Sequence, residues 1–519
     1  MPELKLRTST KRHFERLELR QVLSASTATV SPNLIVLPDA STSSTPSGLS
    51  PAQVKTAYGF NNIMFGSVVG DGNKQTIAIV DAYNDPNIVA DLAKFDTQYG
   101  IAAPVSLKIV GQTGGTKLPK NDRGWSSEIA LDVEWAHAMA PGANILLVEA
   151  SSANDSDLNA ALDYARSAPG VVVVSNSWGG SEYNTEKSDD VHFTTPSGHA
   201  GVTFTVAAGD DGAPAEYPSS SPDVLSVGGS SLRLTSTGAY SSETVWNGGG
   251  GGASRYEGLP SYQAGLGITN RGTPDVSYDA NPNTGFAVYD SYGDTGWDVY
   301  GGTSAGAPQW AALIAIADQG RALAGKGSLA NAQAALYTLS RSDFHDITSG
   351  SNGGSATSGY DLASGLGSPI ASSVIRDLVA FGGSTSFTQA AATTPAPTRH
   401  GGFGWWGFFF GFEESAGGSA AAAGGMAGSA ASTSGMTANI SDASGDAGLA
   451  SPSVVLESAI GMNSGDGSAL SQLSTTSGDS AKSAAADVSA LPNHFLHTLH
   501  HQHLDAGAID AFFANFEAA

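Results

Sequence analysis

The chain has 519 residues, of which 40% are apolar and 14% charged, with a net charge of −24 and no cysteine. An acidic surface repels phosphates, which excludes non-specific nucleic-acid binding as the main activity. Without cysteine there are no disulfides, thiolate metal sites or cysteine nucleophiles. No stretch reaches the ~18 apolar residues of a membrane-spanning helix, so no membrane span is expected.

Residues 1–50 are predicted to be a leader or export segment that is mostly disordered. The segment starts with basic residues but lacks the apolar core of about 7–15 residues that an ordinary secretory signal carries. Its stretch KRHFERLELRQVLSAS resembles the leader of many planctomycete surface proteins, with Leu19 where that motif has proline. The resemblance implies a location outside the cell or at its surface.

Residues 51–382 are predicted to form one dense domain. Apolar runs bounded by Gly, Asn and Asp are typical of buried parallel strands, and amphipathic patterns between them indicate helices. The expected fold class is α/β with a doubly wound, mostly parallel sheet. The predicted strands are TIAIVDAY (76–83), ANILLVEA (143–150), GVVVVSNSW (170–178) and VTFTVAAGD (202–210), and the predicted helices cover 86–99, 126–140 and 156–167.

The composition changes after the domain. Residues 383–490 are rich in Gly, Ala and Ser and bury too little apolar surface to fold, so a disordered low-complexity tail is expected. Residues 491–519 contain a short amphipathic stretch and are predicted to form a short C-terminal helical segment.

A candidate nucleophile stands in GGTSAGAPQWAALIAIADQ (301–319). Two glycines lead to Ser304, and a long apolar helix is predicted to follow. A hydroxyl there lies beside free backbone N–H groups and the helix dipole, which suit a reaction that generates an oxyanion. On its own, Ser304 could equally be a helix N-cap.

Carboxylates, rather than histidine, are the candidate partners of Ser304. Glu128 and Asp132 are four residues apart on a predicted helix and share one face. Two neighbouring carboxyl groups can hold one proton between them, unless they simply form a solvated acidic face. Asp210 follows a predicted strand in TVAAGDDGA (205–213), where a protonated carboxyl could donate to an oxyanion or an Asx turn could form.

The joint pattern resembles the sedolisin family of serine-carboxyl peptidases over about residues 55–380. The motifs are Glu-x-x-x-Asp, Ser-Trp-Gly-Gly at 177–180, Gly-Asp-x-Gly at 209–212 and Gly-Thr-Ser-x-x-x-Pro, in that order. The resemblance implies a subtilisin-like fold, with Ser304 as nucleophile, Glu128 as base and Asp132 as its orienting partner. It also implies that Asp210 is an oxyanion-hole acid. Asp81 either tunes the Glu128–Asp132 pair or fixes a turn.

The same resemblance implies one structural Ca²⁺ in the loop 344–369. The matching ligands are the side chains of Asp346 and Asp361 and the carbonyls of Ile347, Thr357 and Gly359. Carboxylates and carbonyls form the oxygen donor set that Ca²⁺ prefers. A metal-free loop with Asx turns is the alternative.

The predicted function is therefore acid endopeptidase activity on polypeptide substrates by a monomer. SNSWGG (175–180) is predicted to form a cleft edge that pairs with an extended peptide. Two alternatives stay open: a subtilisin-like protease that uses Asp81, a histidine and Ser304, and an inactive peptidase-like surface or adhesion protein.

Overall fold

The computed structural model describes residues 29–38, 46–294 and 296–382. The predicted tail (383–490), the C-terminal segment (491–519) and most of the predicted leader lie outside the described residues. None of the described helices is long and apolar enough to cross a membrane. The helices are α1 (Pro51–Tyr58), α2 (Ile88–Tyr99), α3 (Arg123–Met139), α4 (Asp155–Ser167), α5 (Gly306–Leu323), α6 (Ala332–Leu336) and α7 (Ala371–Ala380).

The strands follow the same chain order. They are β1 (Ser31–Pro32), β2 (Ile35–Pro38), β3 (Met64–Phe65), β4 (Val68–Val69), β5 (Thr76–Ala82), β6 (Leu107–Gly111), β7 (Asn144–Ala150), β8 (Val171–Asn176), β9 (Trp178–Ser181), β10 (Thr203–Ala207), β11 (Glu216–Tyr217), β12 (Leu225–Leu234), β13 (Tyr240–Val245), β14 (Gly252–Gly258), β15 (Asn270–Thr273), β16 (Val276–Asp279), β17 (Phe286–Asp290), β18 (Gly296–Gly301), β19 (Phe344–His345) and β20 (Ser368–Pro369).

The central sheet has the strand order β13-β12-β10-β8-β5-β7-β6, and β16 also pairs with β12. All of these pairings are parallel except that of β12 with the edge strand β13. The predicted doubly wound, mostly parallel α/β sheet is thus confirmed. The four predicted strands and three predicted helices all form, with ends that shift by at most three residues.

Both faces of the sheet are covered, which explains the continuous apolar runs. In β5, Ile77 and Ile79 join the core under α3 and α5, whereas Ala78 and Val80 join the core under α4. A strand with helices on both sides needs apolar residues at every position rather than at alternate ones.

Residues 29–38, which fall within the predicted leader, pair with strands of the domain. Within residues 29–38, β1 pairs antiparallel with β9, and β2 pairs antiparallel with β18. Val30 is buried in the core on the α4 side. This segment has no strong pattern of its own, so its order comes from backbone pairing with the domain.

Candidate active site

The candidate residues meet at the carboxyl edge of the sheet. Asp81 stands near the end of β5, Ser177 directly follows β8, and Asp210 lies three residues after β10. Ligands and catalytic groups of open parallel sheets gather at this edge, because loops there leave the sheet from neighbouring strands. Helix α3 brings Glu128 and Asp132, and a turn before α5 brings Ser304.

Ser304 is held in a buried 3₁₀ turn, Thr303–Ala305, which leads directly into α5. Gly302 precedes it with φ of +99°, a conformation that favours glycine. The Ser304 hydroxyl donates to the carbonyl oxygen of Ser177 at 3.1 Å. The predicted serine before a long apolar helix is therefore present.

Glu128 and Asp132 are fully buried on α3, in a stretch in which every residue from Trp125 to Met139 is buried. This excludes a solvated acidic helix face. Asp132 Oδ1 accepts a hydrogen bond of 2.8 Å from the hydroxyl of Ser177. Both carboxyl oxygens of Glu128 lack a hydrogen-bond partner among the described residues.

Asp81 adds a third buried carboxyl group to this pair. No ion pair of the described residues includes Asp81, Glu128 or Asp132. Burial, then Asp132 and Asp81, hold the pKa of Glu128 well above its usual value, and the Ser304 hydroxyl opposes that shift. Burial and Asp81 raise the pKa of Asp132, and burial raises that of Asp81 to about 8. The cluster therefore binds protons that isolated carboxylates would lose.

Asp210 lies on the other side of the nucleophile turn. Its Oδ1 accepts from the backbone N of Thr303 at 2.7 Å and from the Thr303 hydroxyl at 2.9 Å. Its Oδ2 is buried without a partner among the described residues. Burial raises the pKa of Asp210 to about 8, against the two Thr303 hydrogen bonds. Thr303 therefore fixes one carboxyl oxygen and leaves the other free.

Sequence reasoning assigned no part in the arrangement around Ser304 to three residues of this site. Ser177 stands in the quoted SNSWGG stretch and connects Asp132 with Ser304. Thr303 precedes the nucleophile and orients Asp210. Asn33 belongs to the predicted leader, yet its carbonyl oxygen accepts from the backbone N of Ser304 at 3.0 Å. The polar end of an apolar strand was a usable signal for Ser177, whereas nothing local indicated Asn33.

The described histidines do not supply a base for Ser304. His137 contacts Ala102 and Asp96, and His192 contacts Asp163. His199 contacts the carbonyls of Ala168 and Ala200, and His345 stacks on Tyr240. None of these four described histidines contacts Ser304, so the described residues do not support the histidine-dependent alternative.

In the predicted calcium loop, Asp346 and Asp361 both accept hydrogen bonds from the backbone of residues 357–359. Asp346 accepts from the backbone N of Gly359 at 3.1 Å, and Asp361 Oδ2 accepts from the backbone N of Thr357 at 2.7 Å. The Ile347 carbonyl receives only a long bond of 3.4 Å from Ser364. The donor types, two carboxylates and a carbonyl on one loop, are those that a hard cation takes, and loop N–H groups donate to both carboxylates in the structure.

A further group of carboxyls, which the sequence analysis did not single out, comprises Asp85, Asp91 and Asp290. One oxygen from each lies within 4.8 Å of the others. Ser126 and Ser127 donate to Asp290, and Ser291 donates to Asp91. These hydrogen bonds tie the loop after β17 to α2 and α3, which is a structural role.

Comparison with known proteins agrees with the fold. Residues 117–356 match the subtilase family. Kumamolisin from Bacillus sp. (strain MN-32) is 34% identical over 380 residues, which are 65% of either chain. Sedolisin from Pseudomonas sp. (strain 101) is 31% identical over 337 residues, which are 56% of either chain. The chain thus spans 56–65% of the length of these curated relatives.

A solved structure matches more completely. It is Pseudomonas sedolisin, a serine-carboxyl proteinase, in complex with two molecules of pseudo-iodotyrostatin. The match has 30% identity and a TM-score of 0.56, and covers 65% of this chain and 98% of the sedolisin chain. Fold and site together define a protein of subtilisin-like architecture. Within that class the chain belongs to the sedolisin family, as the sequence motifs predicted.

Proposed function

We propose that the chain is a serine-type endopeptidase that hydrolyses polypeptides at acidic pH. Ser304 is the nucleophile, Glu128 is its general base, and Asp132 orients Glu128. Asp210 donates a hydrogen bond to the oxyanion. The main support is the buried cluster of Glu128, Asp132 and Asp81, which adjoins a serine at a helix N-terminus and includes no cation.

The proposed chemistry follows from the protonation states. Glu128 accepts the Ser304 proton as the hydroxyl attacks the substrate carbonyl carbon, and returns it to the leaving amine. Because Asp132 and Asp81 are close to Glu128, the three carboxyl groups share protons rather than ionise together. Their proximity raises the pKa of Glu128, which makes its ionised form a stronger base. A protonated Asp210, together with the Ser304 backbone N–H, then neutralises charge on the carbonyl oxygen.

The expected pH dependence has two limits. As pH rises towards about 8, Asp210 loses the proton it must donate, and activity falls. As pH drops through the first ionisation of the carboxyl cluster, Glu128 becomes protonated and activity also falls. An acidic optimum requires this first ionisation to occur below neutral pH.

The test is the pH–rate profile of wild type, Ser304→Ala, Glu128→Gln and Glu134→Gln on a denatured protein. Loss of a general base is expected to lower kcat by about 10²–10⁴-fold in Glu128→Gln. Glu134 is a matched control, since it is equally buried on α3 but accepts from the backbone N of Tyr289. Full activity in Glu128→Gln, or a rate that stays maximal at alkaline pH, would refute the assignment. A folded wild type inactive at every pH would favour the inactive surface protein.

We also propose one structural Ca²⁺ held by Asp346 and Asp361 with the carbonyls of Ile347, Thr357 and Gly359. When bound, the ion would link two parts of the loop through oxygen ligands, with no part in the chemical step. An extracellular or cell-surface location and a monomeric state remain part of the proposal. They are supported by the leader motif and by a site built from one chain.

A further inference from the structure

Five consecutive glycines, residues 248–252, support the turn that carries Asp210. This glycine run lies against residues 209–213, here called the Asp210 turn. Two backbone hydrogen bonds of 2.7 Å join the two segments in opposite directions: Gly212 N to Gly248 O, and Gly250 N to Gly209 O. A Cβ on Gly250 would lie 2.0 Å from the Ala208 carbonyl oxygen, so the segments approach this closely only without a side chain there. The position of Asp210 therefore depends on that of the glycine run.

Asn352 contacts both segments. It belongs to the loop 344–369 and is only 4% exposed, although the residues on either side of it are exposed. Its side-chain Nδ2 donates to the buried carbonyl oxygen of Gly249 at 2.8 Å. Its main-chain carbonyl oxygen accepts from the backbone N of Ala213 at 2.7 Å. One residue thus connects the glycine run with the last residue of the Asp210 turn.

The orientation of the Asn352 side chain is fixed by its own loop. Its Oδ1 accepts from the backbone N of Gly354 at 3.1 Å, and its backbone N donates to the Gly354 carbonyl oxygen at 3.2 Å. A Cβ on Gly212 would lie 2.7 Å from the Asn352 carbonyl oxygen, and one on Gly251 would lie 3.1 Å from Asn352 Nδ2. Glycines on both segments therefore leave the space that Asn352 occupies.

The Asp210 turn is held from two ends. At its start, the backbone N of Gly209 donates to the Thr303 hydroxyl at 3.1 Å, and Thr303 also binds Asp210 Oδ1. At its end, Ala213 donates to Asn352. Thr303 thus fixes the bound oxygen of the carboxyl group, and Asn352 fixes the backbone that follows it. The direction of the free oxygen, Asp210 Oδ2, depends on both contacts.

We propose that Asn352 is a positioning residue for the peptidase reaction, because it fastens the glycine run and the Asp210 turn so that Asp210 Oδ2 is directed at the oxyanion. The proposal rests on the proposed function and adds to it a residue that acts through Asp210. An oxyanion donor contributes only at the correct distance from the developing charge. A displacement of about 1 Å by a distant substitution can lower a rate about 10²-fold.

The first experiment measures kcat and KM of the full chain. The substrate is a synthetic peptide spanning the bond that wild type cuts fastest in a denatured protein. Asn352→Ala leaves the Gly249 carbonyl without its donor, and we expect kcat to fall about 10–100-fold with little change in KM. The loss falls on kcat because the proton of Asp210 is used in the transition state rather than in substrate binding.

Gln319→Ala is the matched control. Gln319 on α5 is an equally buried amide whose Nε2 donates to the Val69 carbonyl oxygen at 2.8 Å and whose Oε1 accepts from the backbone N of Gly72 at 2.8 Å. These contacts lie before β5, at the amino end of that strand. Gln319→Ala should leave kcat unchanged, and urea unfolding compares the stability that the two variants lose.

A double-variant cycle tests whether Asn352 acts through Asp210. Asp210→Ala alone should lower kcat about 10²–10³-fold, as expected for the loss of an oxyanion donor. In that background, Asn352→Ala should have no further effect, because the group that it positions is gone. A purely structural role for Asn352 would lower kcat equally in both backgrounds.

Inhibitor binding provides a measurement that does not depend on turnover. A peptide aldehyde forms a tetrahedral adduct with a serine nucleophile, whereas the corresponding peptide alcohol does not. Such an adduct resembles the transition state, so its stability reports on the oxyanion donors. Asn352→Ala should weaken aldehyde binding about tenfold or more and leave alcohol binding unchanged. Gln319→Ala should change neither.

Asn352→Asp has the same shape and tests the donated hydrogen bond. A protonated Asp can still donate to the Gly249 carbonyl and accept from Gly354, whereas an ionised one cannot donate. The ratio of the kcat of this variant to that of wild type should therefore be close to one in strong acid and fall as pH rises. If Asn352→Ala does not fold, this ratio tests the proposal by itself, and a ratio that is independent of pH would contradict it.

The outcomes separate this proposal from the proposed function. Ser304-dependent hydrolysis with an unchanged kcat in Asn352→Ala would overturn the role of Asn352 and leave the peptidase function intact. An equal loss of kcat with and without Asp210 would do the same. A folded wild type that hydrolyses nothing would overturn both.

Discussion

Two buried groups of carboxylates in this domain are built in opposite ways. Asp275 forms two bonds of 2.6 Å with Arg271, and also accepts from the backbone N of Ser226 and the hydroxyl of Tyr337 at 2.8 Å. Glu128 and Asp81, at the same depth, have no cation partner among the described residues, and both oxygens of Asp81 also lack a hydrogen-bond donor there.

The difference shows what each group is suited to do. A buried carboxylate with a bidentate Arg partner and further donors is held as an anion in one geometry. Buried carboxyls that lie near each other without a cation partner hold protons, and their charge can change during a reaction. The domain therefore separates a buried ion pair next to β12 from a cluster of carboxyls without a cation partner at the carboxyl edge of the sheet.

Breaking the ion pair should have the largest effect on stability. Arg271→Met leaves Asp275 buried without its cation, and we expect a loss of about 3–5 kcal/mol in the free energy of unfolding. Glu128→Gln should cost little or even stabilise, because it removes a carboxyl that has no partner. Urea unfolding of both variants in a Ser304→Ala background measures this.

The double variant Arg271→Met/Asp275→Asn is the control, and should recover part of the loss because no buried charge remains. Equal destabilisation by Arg271→Met and Glu128→Gln would contradict the contrast between the two groups.

The calcium loop offers a third environment for carboxylates, in which backbone N–H groups surround Asp361. If Ca²⁺ binds there, an ion concentration of 100 times Kd should stabilise the fold by about 2.7 kcal/mol. A chelator should lower Tm accordingly, and Asp361→Asn should remove the response. A Tm that is unchanged by chelator in the unsubstituted loop would count against the ion.

The unpaired carboxyls should make the fold more stable in acid than at neutral pH. The pKa values of Asp81 and Asp210 are raised to about 8 in the folded state, against about 4 when unfolded. The folded state binds more protons between these values, so stability falls as pH rises from about 4 to 8. Thermal unfolding of Ser304→Ala at several pH values tests this. Asp81→Asn should flatten the decline, whereas a Tm that rises towards pH 8 would contradict it.

The sequence was sufficient to predict the strands of the central sheet and which kinds of side chain lie near Ser304. Continuous apolar runs predicted β5, β7, β8 and β10, because strands covered on both faces have no polar positions. The four-residue spacing of Glu128 and Asp132 placed them on one face of α3. The glycines before Ser304 favour a tight turn. The structure has such a turn there, with a positive φ at Gly302.

Long-range contacts decided the rest. Ser177 becomes a link between Asp132 and Ser304 only when β8 ends beside α3 and the nucleophile turn. Whether the face of Glu128 and Asp132 was solvated or buried depended on packing that spacing does not encode.

By itself, then, the sequence determined a doubly wound α/β domain of the sedolisin family with Ser304 before a buried helix. Only the tertiary structure decided that Asn33 reaches Ser304 and that three carboxyls share one buried site. Local patterns specify which face of an element is apolar. Backbone pairing by a short segment such as residues 29–38 has no periodic signature, because the stabilisation comes from the partner strands.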